Sequence, residues 1–513
     1  MEKNNLKNLI SSKWFLLIFF ASAYPIVNFV NVNKMQLLPI HFYKLSFYFI
    51  VIFLFALLFA VIIKKIILKS IKIEQIAFSI SLAILVFFGY THDHYILSFL
   101  CLLIIPILGL LFSKYKVLSN WFFFVIILAL TLSSIQIIWS KIQSIDFTKS
   151  NIKKRDISEN FGQDFVRAKN PPNVYYFVPD CYMRSDRVKK VLNYDNQPFL
   201  DKLSELGFYI ADKSYSNYPT TFLSLSSLLA MDYVATEDMK PFTNKEKFFE
   251  ILSGKNATVN RFKKHGYQFA RMGPGRWDPG RCTGNEDICL NKKSGFSELD
   301  YMFWGSTPVL AVVRKLNLVT TNPKSTFTDI KQSLENLKID DPLFVFGHIL
   351  MPHPPYIFDK ECNLISAKNL NQGVGTGGWW GEKAEKFYLG ELRCVNKQIA
   401  KLVEYITNND PESIIVIQAD TGTHFGYEGD VDIMDKPLSK WSKRDLEENY
   451  ANLTAIKVPK KYYKWLYPSI SQVNTFRLLF SMIENKKLPL INDYSYSTHY
   501  ENKPGFGKVY KYQ

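Results

Sequence analysis

Five runs of uncharged, mostly apolar residues lie within the first 140 residues, and this feature constrains the fold most. A membrane-spanning helix needs about 20 such residues, with a range of roughly 17–25. Five runs leave no polar face for a soluble helix, so the sequence predicts a transmembrane bundle over residues 1–140. A cleaved signal peptide is disfavoured because four further runs follow the first. The runs lie at 14–31, 45–63, 75–90, 95–113 and 121–139, and the third is the shortest.

The lysines of this segment set its predicted orientation. Residues 1–140 carry 11 Lys, no Arg and three acidic residues, within a chain of net charge +16. Nine of these Lys precede the first run or follow the second and fourth, and only Lys34 and Lys44 lie in the alternate loops. Because Lys-rich loops face the cytoplasm, we expect a multi-pass protein of the cytoplasmic membrane, with its N-terminus inside and everything after Trp139 outside. The basic excess therefore indicates the lipid bilayer, and no nucleic acid, as a partner.

The rest of the chain is predicted to form a linker and one larger domain. Residues 141–170 are polar and carry charges of both signs, whereas 171–513 alternate short apolar runs with helical periodicity. This alternation predicts an extracytoplasmic α/β domain with a mostly parallel sheet, covered by helices on both faces. Strands are expected at 174–178, 343–348 and 414–418, and helices at about 196–206, 221–231, 257–265, 325–337, 383–407 and 472–484.

Five of the six cysteines lie in this domain. Cys282 is seven residues from Cys289, and Cys362 and Cys394 flank another irregular region. In an oxidising compartment these four could form two disulfides and leave Cys181 as a free thiol. Their spacing does not indicate a zinc site.

Four motifs place reactive side chains at predicted strand ends or at a helix start. Ligands of α/β sheets bind beyond the carboxyl ends of strands, so these side chains are expected to lie together. The motifs are Pro-Asp180-Cys-Tyr-Met-Arg, Tyr-Pro-Thr-Thr221, Gly-His348-Ile-Leu-Met-Pro-His353-Pro-Pro and Gln-Ala-Asp420-Thr421-Gly-Thr-His424.

These residue types suit phosphoryl transfer. Two carboxylates can hold a divalent cation, and a Thr hydroxyl at a helix N-terminus can join them and lose its proton. A nearby His can contact a phosphate or protonate a leaving group. Together they could transfer a phosphoryl group through a covalent phosphothreonine. Each motif also has a plainer explanation, because Asp caps turns, Thr caps helices and a His among prolines can be a packed loop residue.

In this order, the motifs resemble the sulfatase-like membrane proteins of the alkaline phosphatase superfamily. The resemblance is greatest to lipoteichoic-acid-synthase-like phosphoglycerol and phosphoethanolamine transferases, and it covers about 171–495. It implies that Asp180, Thr221 and Asp420 bind a metal ion and that Thr221 is the nucleophile. It further implies phosphate or substrate contacts for four residues, which are His353, His348, Arg276 and Trp277.

Two positions depart from the family pattern. The family has Asp-His-Gly where this chain has Asp420-Thr421-Gly, so the metal-binding imidazole is replaced by a hydroxyl. His424 is a candidate substitute; otherwise the ligands are oxygens, which favour one Mg²⁺ or Mn²⁺ over Zn²⁺. A third possibility is an inactive site. The second departure is Cys181, where the family usually has Gly.

The sequence therefore predicts a membrane-anchored, metal-dependent transferase. It would move phosphoglycerol or phosphoethanolamine from a phospholipid donor to a surface glycan or lipid acceptor through phosphothreonine. Two alternatives stay open: a phosphoester hydrolase, and a catalytically impaired binding or scaffold protein of envelope assembly. Sulfatase activity is disfavoured, because the residues after Thr221 lack the Cys/Ser-x-Pro-x-Arg motif that true sulfatases have.

Overall fold

The computed structural model divides the chain into two compact units. The first comprises Met1–Asp146 with Phe296–Thr321, and the second comprises Phe147–Gly295 with Asn322–Gln513. Within them, the structure describes residues 12–33, 39–89, 95–148, 165, 167–237, 246–272, 282–290, 299, 303, 304, 307, 326–337, 341–354, 356–363, 365, 382–423, 425, 440–497 and 510–512.

Helices occupy all five apolar runs near the N-terminus. Within the residues that the structure describes, three of them contain stretches long and apolar enough to cross a membrane, namely Lys13–Asn31, Phe42–Ile66 and Lys116–Trp139. A count of five spans therefore stays a prediction. The helices are α1 (Lys13–Asn33), α2 (Pro39–Ile62, continued by a π-helical turn at Ile63–Ile67), α3 (Ile73–Gly89), α4 (Tyr95–Phe112) and α5 (Lys116–Thr148).

The first unit also contains a segment from much later in the chain, 296–321, which the sequence pattern groups with the C-terminal domain. Leu299 and Phe303 are buried against Val30 of α1 and Tyr48 of α2. Phe303 stacks on Tyr48 with the ring centroids 5.1 Å apart, and it contacts Phe88 of α3 at 5.4 Å. This aromatic cluster joins the later segment to the ends of α1 and α3 and to the first part of α2.

The second unit is built on a seven-stranded sheet in the order β2-β7-β6-β1-β5-β3-β4. The strands are β1 (Val174–Asp180), β2 (Phe208–Ile210), β3 (Gln268–Met272), β4 (Ile288–Cys289), β5 (Leu343–Pro352), β6 (Ile414–Gln418) and β7 (Thr454–Lys457). β1 is parallel to β5 and β6, and β3 is parallel to β5 and β4. β7 is antiparallel to β6 and β2, so the sheet is mixed. A two-stranded sheet pairs β8 (Tyr496–Ser497) with β9 (Tyr510–Lys511).

Helices cover both faces of the large sheet. Alternate residues of a strand point to opposite faces, so Tyr175 and Phe177 pack with one helical layer while Tyr176 and Val178 pack with the other. The first layer comprises α6 (Ser185–Leu192), α7 (Gln197–Glu205), α11 (Phe327–Glu335) and α12 (Glu382–Asn409). The second layer comprises α8 (Thr221–Ala230), α9 (Glu246–Leu252), α10 (Ala257–Lys264) and α14 (Gln472–Ile483). The described residues also form α13 (Lys443–Tyr450) and a 3₁₀ helix at Lys460–Trp465.

The structure confirms the three predicted strands and the six predicted helices of this unit. It also confirms both predicted disulfides, Cys282–Cys289 and Cys362–Cys394, and the free thiol of Cys181. The strands β2, β3, β4 and β7 were not predicted. Of these, the neighbouring short strands β2 and β7 make the sheet mixed.

Candidate metal centre and nucleophile

Three polar side chains point to the same face of the sheet at its C-terminal edge. Asp180 follows Val178 by two residues on β1, and His348 of β5 pairs with Val178. Asp420 follows Gln418, the last residue of β6, by two residues. Because alternate residues of a strand share a face, all three side chains are directed to the α8 side of the sheet.

Thr221 is the first residue of α8, and it completes the site from the helical layer. Thr220, the N-cap residue, has an extended backbone with φ −131° and ψ 141°. Thr221 Oγ1 donates a hydrogen bond of 2.5 Å to Asp420 Oδ2. The exposed N–H groups and the dipole of a helix N-terminus favour an anion at this place. We call Asp180, Thr221, His348 and Asp420 the strand-end site.

The backbone holds the carboxylate of Asp420 in position. Its Oδ1 accepts N–H groups from Cys181 at 3.0 Å and from Thr421 at 2.8 Å. The next residue, Gly422, donates its N–H to the carbonyl of Asn449 at 2.6 Å. A Cβ at position 422 would collide with three backbone carbonyls around the end of α13. The loop that presents Asp420 therefore requires glycine at this position.

The two departures from the family pattern contact each other. Cys181 Sγ lies 3.4 Å from Thr421 Oγ1, and Thr421 Oγ1 also donates to the carbonyl of Gly422 at 3.1 Å. Burial, followed by the charges of Asp180 and Asp420, raises the pKa of the Cys181 thiol well above its usual value. Cys181 is therefore a neutral thiol, and Thr421 is engaged with it.

The two carboxyl groups of the site have opposite pKa shifts. Burial and the neighbouring charge of Asp180 raise the pKa of Asp420 to about 7. For Asp180, burial acts to raise the pKa, but His353 and His348 outweigh burial and hold it well below its usual range. The site thus keeps one carboxylate charged and holds the other close to protonation, as expected for two carboxylates that share one buried site.

His353 lies beside Asp180 on the loop that follows β5. A ring nitrogen of His353 lies within 4.8 Å of an Asp180 oxygen and of Cys181 Sγ. Its Nδ1 is 2.6 Å from the carbonyl oxygen of Pro354, so Nδ1 carries a proton and donates it. Nε2 is then the nitrogen that can take up or release a proton, and the side chain is half-buried.

The strand-end site fits a divalent cation. Ligand atoms of Asp180, His348 and Asp420 lie within 4.8 Å of one another, and all three residues are buried. Asp180 Oδ1 and His348 Nδ1 have no hydrogen-bond partner among the described residues. Leaving a buried polar atom unpaired costs about 1–3 kcal/mol, and a bound cation would remove that cost by accepting both atoms as ligands. Carboxylate, hydroxyl and imidazole groups all bind divalent metals.

Three predicted site residues, Arg276, Trp277 and His424, lie outside the described residues, and their roles stay predictions. The structure brings Thr221, His348, His353, Asp180 and Asp420 together. Sequence reasoning did not anticipate that His348 contacts Asp180. The sequence contained one indication of this contact. His348 is two and four residues after the buried Phe346 and Phe344 on β5, so its side chain lies on the same face of the sheet as theirs.

Several solved structures are similar to this chain, all at low sequence identity. Lipooligosaccharide phosphoethanolamine transferase A from Neisseria meningitidis is 12% identical with a TM-score of 0.42, over 91% of this chain and 95% of that one. The C-terminal periplasmic domain of EptC from Escherichia coli, in complex with Zn, is 12% identical with a TM-score of 0.41, over 67% and 94%. A Bacteroides fragilis protein assigned as a sulfatase is 15% identical with a TM-score of 0.38, over 66% and 83%. No protein-family model and no curated protein sequence matches the chain.

Proposed function

We propose that the protein is a membrane-anchored transferase that moves a phosphate-bearing head group, phosphoethanolamine or phosphoglycerol, from a phospholipid to a surface glycan or lipid. The observation that carries this proposal is the position of Thr221. Its hydroxyl is at the N-terminus of α8, is hydrogen-bonded to Asp420 at 2.5 Å, and shares the site with a second carboxylate and two histidines.

The first half of the reaction transfers the head group to the protein. Thr221 Oγ1 attacks the phosphorus of the donor, the bond from phosphorus to the diacylglycerol oxygen breaks, and diacylglycerol leaves as an alcohol. Asp420 Oδ2 already accepts the hydrogen bond of the hydroxyl that loses its proton. The N–H groups at the start of α8 face the phosphate oxygens, and His353 supplies the proton that the leaving oxygen takes.

The second half releases the head group to the acceptor. An acceptor hydroxyl attacks the phosphorus of phospho-Thr221, His353 removes its proton, and the threonine oxygen leaves with a proton returned through Asp420. A bound divalent cation would be held by Asp180, Asp420 and Thr221, and it would stabilise charge on the threonine oxygen and on the phosphate.

Two observations support an extracytoplasmic location for this chemistry. The C-terminal unit carries two disulfides, which persist in oxidising compartments. The later segment of the first unit, around Phe303, contacts the ends of α1 and α3, which the lysine distribution assigns to the outside. A phospholipid donor in the outer leaflet is then accessible to a membrane-anchored enzyme.

The test is transfer by the full chain in vesicles. The vesicles contain either phosphatidylethanolamine or phosphatidylglycerol with an isotope-labelled head group, and intact-mass analysis detects label on the protein. We expect the wild type to gain one head group with one of the two lipids, and Thr221→Ala to gain none. Ser226→Ala, which removes a buried hydroxyl elsewhere on α8, is the matched control and should be labelled like the wild type.

The other outcomes separate the alternatives. Free labelled head group without an acceptor adduct would identify a hydrolase, in which water replaces the acceptor. Full complementation of a null strain by an Asp180→Ala/Thr221→Ala double variant would identify a binding or scaffold protein and would refute the transferase.

A further inference from the structure

The loop after β6 does not provide an imidazole at position 421, and the structure shows where the replaced side chain goes. Thr421 Oγ1 contacts Cys181 Sγ and the Gly422 carbonyl, and Thr421 is almost fully buried. The Thr421 hydroxyl therefore makes its hydrogen bonds with Cys181 and Gly422. A nitrogen ligand for the strand-end site has to come from another element.

β5 supplies an imidazole at the site. His348 is fully buried, and its Nε2 lies 3.2 Å from Asp180 Oδ2. Two ligands of one cation, each about 2.0–2.2 Å from it, lie about 3–4 Å apart. The separation of His348 and Asp180 is therefore that of neighbouring ligands, and Asp420 completes the group within 4.8 Å.

We infer that His348 is the nitrogen ligand of the cation site, so that an imidazole from the neighbouring strand replaces the one that position 421 lacks. This inference deepens the proposed function and rests on it only for the presence of a cation. With an imidazole, two carboxylates and the Thr221 hydroxyl, the site prefers Zn²⁺ or Mn²⁺ to Mg²⁺, because imidazole suits transition metals and Mg²⁺ prefers oxygen. The expectation of an all-oxygen site is thereby revised.

Metal binding, measured without any activity, tests this inference. The full chain is purified in detergent, stripped with a chelator, and titrated with Zn²⁺ or Mg²⁺ alone in competition with a chelating dye. We expect one Zn²⁺ per chain in the wild type and an affinity at least about 100-fold lower in His348→Phe, since even outer-shell changes cost roughly 10–100-fold. His348→Gln offers an oxygen instead, and it should lower the ratio of Zn²⁺ to Mg²⁺ affinity at least about tenfold.

A matched histidine and a rescue variant make the test specific. His353→Phe changes the other histidine near Asp180, and it should keep Zn²⁺ affinity within about tenfold of the wild type. Cys181→Gly/Thr421→His puts an imidazole back after Asp420, and glycine suits the positive φ of 59° at position 181. In this background His348→Phe should regain Zn²⁺ affinity. The melting temperature of each stripped variant reports whether it is folded.

Several results would overturn the inference. The first two are unchanged Zn²⁺ affinity in a folded His348→Phe protein and loss of Zn²⁺ binding in His353→Phe instead. The other two are a failure of Cys181→Gly/Thr421→His to restore Zn²⁺ affinity to His348→Phe, and no Zn²⁺ binding by the wild type. The proposed function is judged separately, because head-group label on Thr221 is a different measurement. A chain that binds Zn²⁺ through His348 but never carries the label would refute the transferase and leave the ligand assignment intact.

Discussion

The C-terminal unit contains two buried charged clusters that differ in how their charges are balanced. In the ion-pair cluster, formed by Arg261, His265 and Glu484, the guanidinium donates two hydrogen bonds of 2.6 Å to the carboxylate. His265 Nε2 lies 3.0 Å from the same carboxylate, and its Nδ1 accepts the N–H of Ala168 at 3.2 Å. The negative charge of Glu484 is thus compensated by Arg261 and His265 of the same chain.

The strand-end site has the opposite balance. Two carboxylates, Asp180 and Asp420, share one buried imidazole, and no Arg or Lys forms an ion pair with them among the described residues. The pKa shifts follow this difference. Burial acts to raise the pKa of Glu484, but His265 and Arg261 outweigh burial and lower it, whereas burial and Asp180 raise that of Asp420 to about 7. The ion-pair cluster has its charges compensated within the chain, and the strand-end site is where we propose that a cation binds.

Removing the carboxylate of the ion-pair cluster should have the largest effect. Glu484→Ala leaves the buried guanidinium of Arg261 without its counter-charge, and we expect a loss of about 3–5 kcal/mol in the free energy of unfolding of the C-terminal unit. Denaturant titration of the full chain in detergent, followed by tryptophan fluorescence, measures it. The exposed Glu412→Ala is the control and should stay within about 0.5 kcal/mol of the wild type. A loss below about 1 kcal/mol for Glu484→Ala would contradict a structural role for the cluster.

Neutralising a carboxylate of the strand-end site should have a smaller effect of opposite sign. Asp420→Asn keeps an oxygen for the N–H groups of Cys181 and Thr421 and removes the repulsion from Asp180. We expect the stripped protein to gain about 1–3 kcal/mol at pH 8 and to lose cation binding. Chelation should then lower the melting temperature of the wild type but not of the variant. Destabilisation like that of Glu484→Ala would remove the distinction between the clusters.

The pH dependence of stability should show the smallest difference. The folded pKa of Asp420 is about 7 against 3.8 in an unfolded chain, so its contribution is complete at low pH and is lost as the pH rises through 7. Glu484 has a lowered pKa, so its contribution is present above 4.5 and is lost as the pH falls further. Melting temperatures of stripped protein should fall by about 2–4 °C for each kcal/mol lost.

The variants assign each limb of this pH profile to one cluster. Asp420→Asn should flatten the fall between about pH 4 and 7. Glu484→Gln should flatten the acid limb and leave the neutral one unchanged. An unaltered neutral limb in Asp420→Asn would mean that Asp420 is not the titrating group.

Much of the fold is encoded in local pattern and could be predicted from it. The apolar runs coincide with α1 to α5, and the buried runs at 174–178 and 414–418 coincide with β1 and β6. The strands β2 and β7, of three and four residues, are too short to show a period of two, and their pairing depends on distant parts of the chain. The segment around Phe303 was missed because it has no apolar run of spanning length.

The candidate site was only partly predictable for a related reason. Asp180, Thr221 and Asp420 were identified because each follows a strand or begins a helix, where side chains converge. The positions of His348 relative to Asp180, and of Cys181 relative to Thr421, depend on strand register, which a single sequence does not specify. A missing ligand next to Asp420 in sequence therefore says little about a missing ligand in space.

The return of the chain to the first unit at 296–321 makes the protein less modular than its sequence suggests. The connection between the two units is made three times, near residues 146, 295 and 321, so proteolysis of the linker alone does not separate them. A fragment that starts after the linker would carry Leu299, Phe303 and Trp304 away from their aromatic partners and present them to water. A soluble version of the outer domain therefore requires removal of that segment as well as of the N-terminal helices.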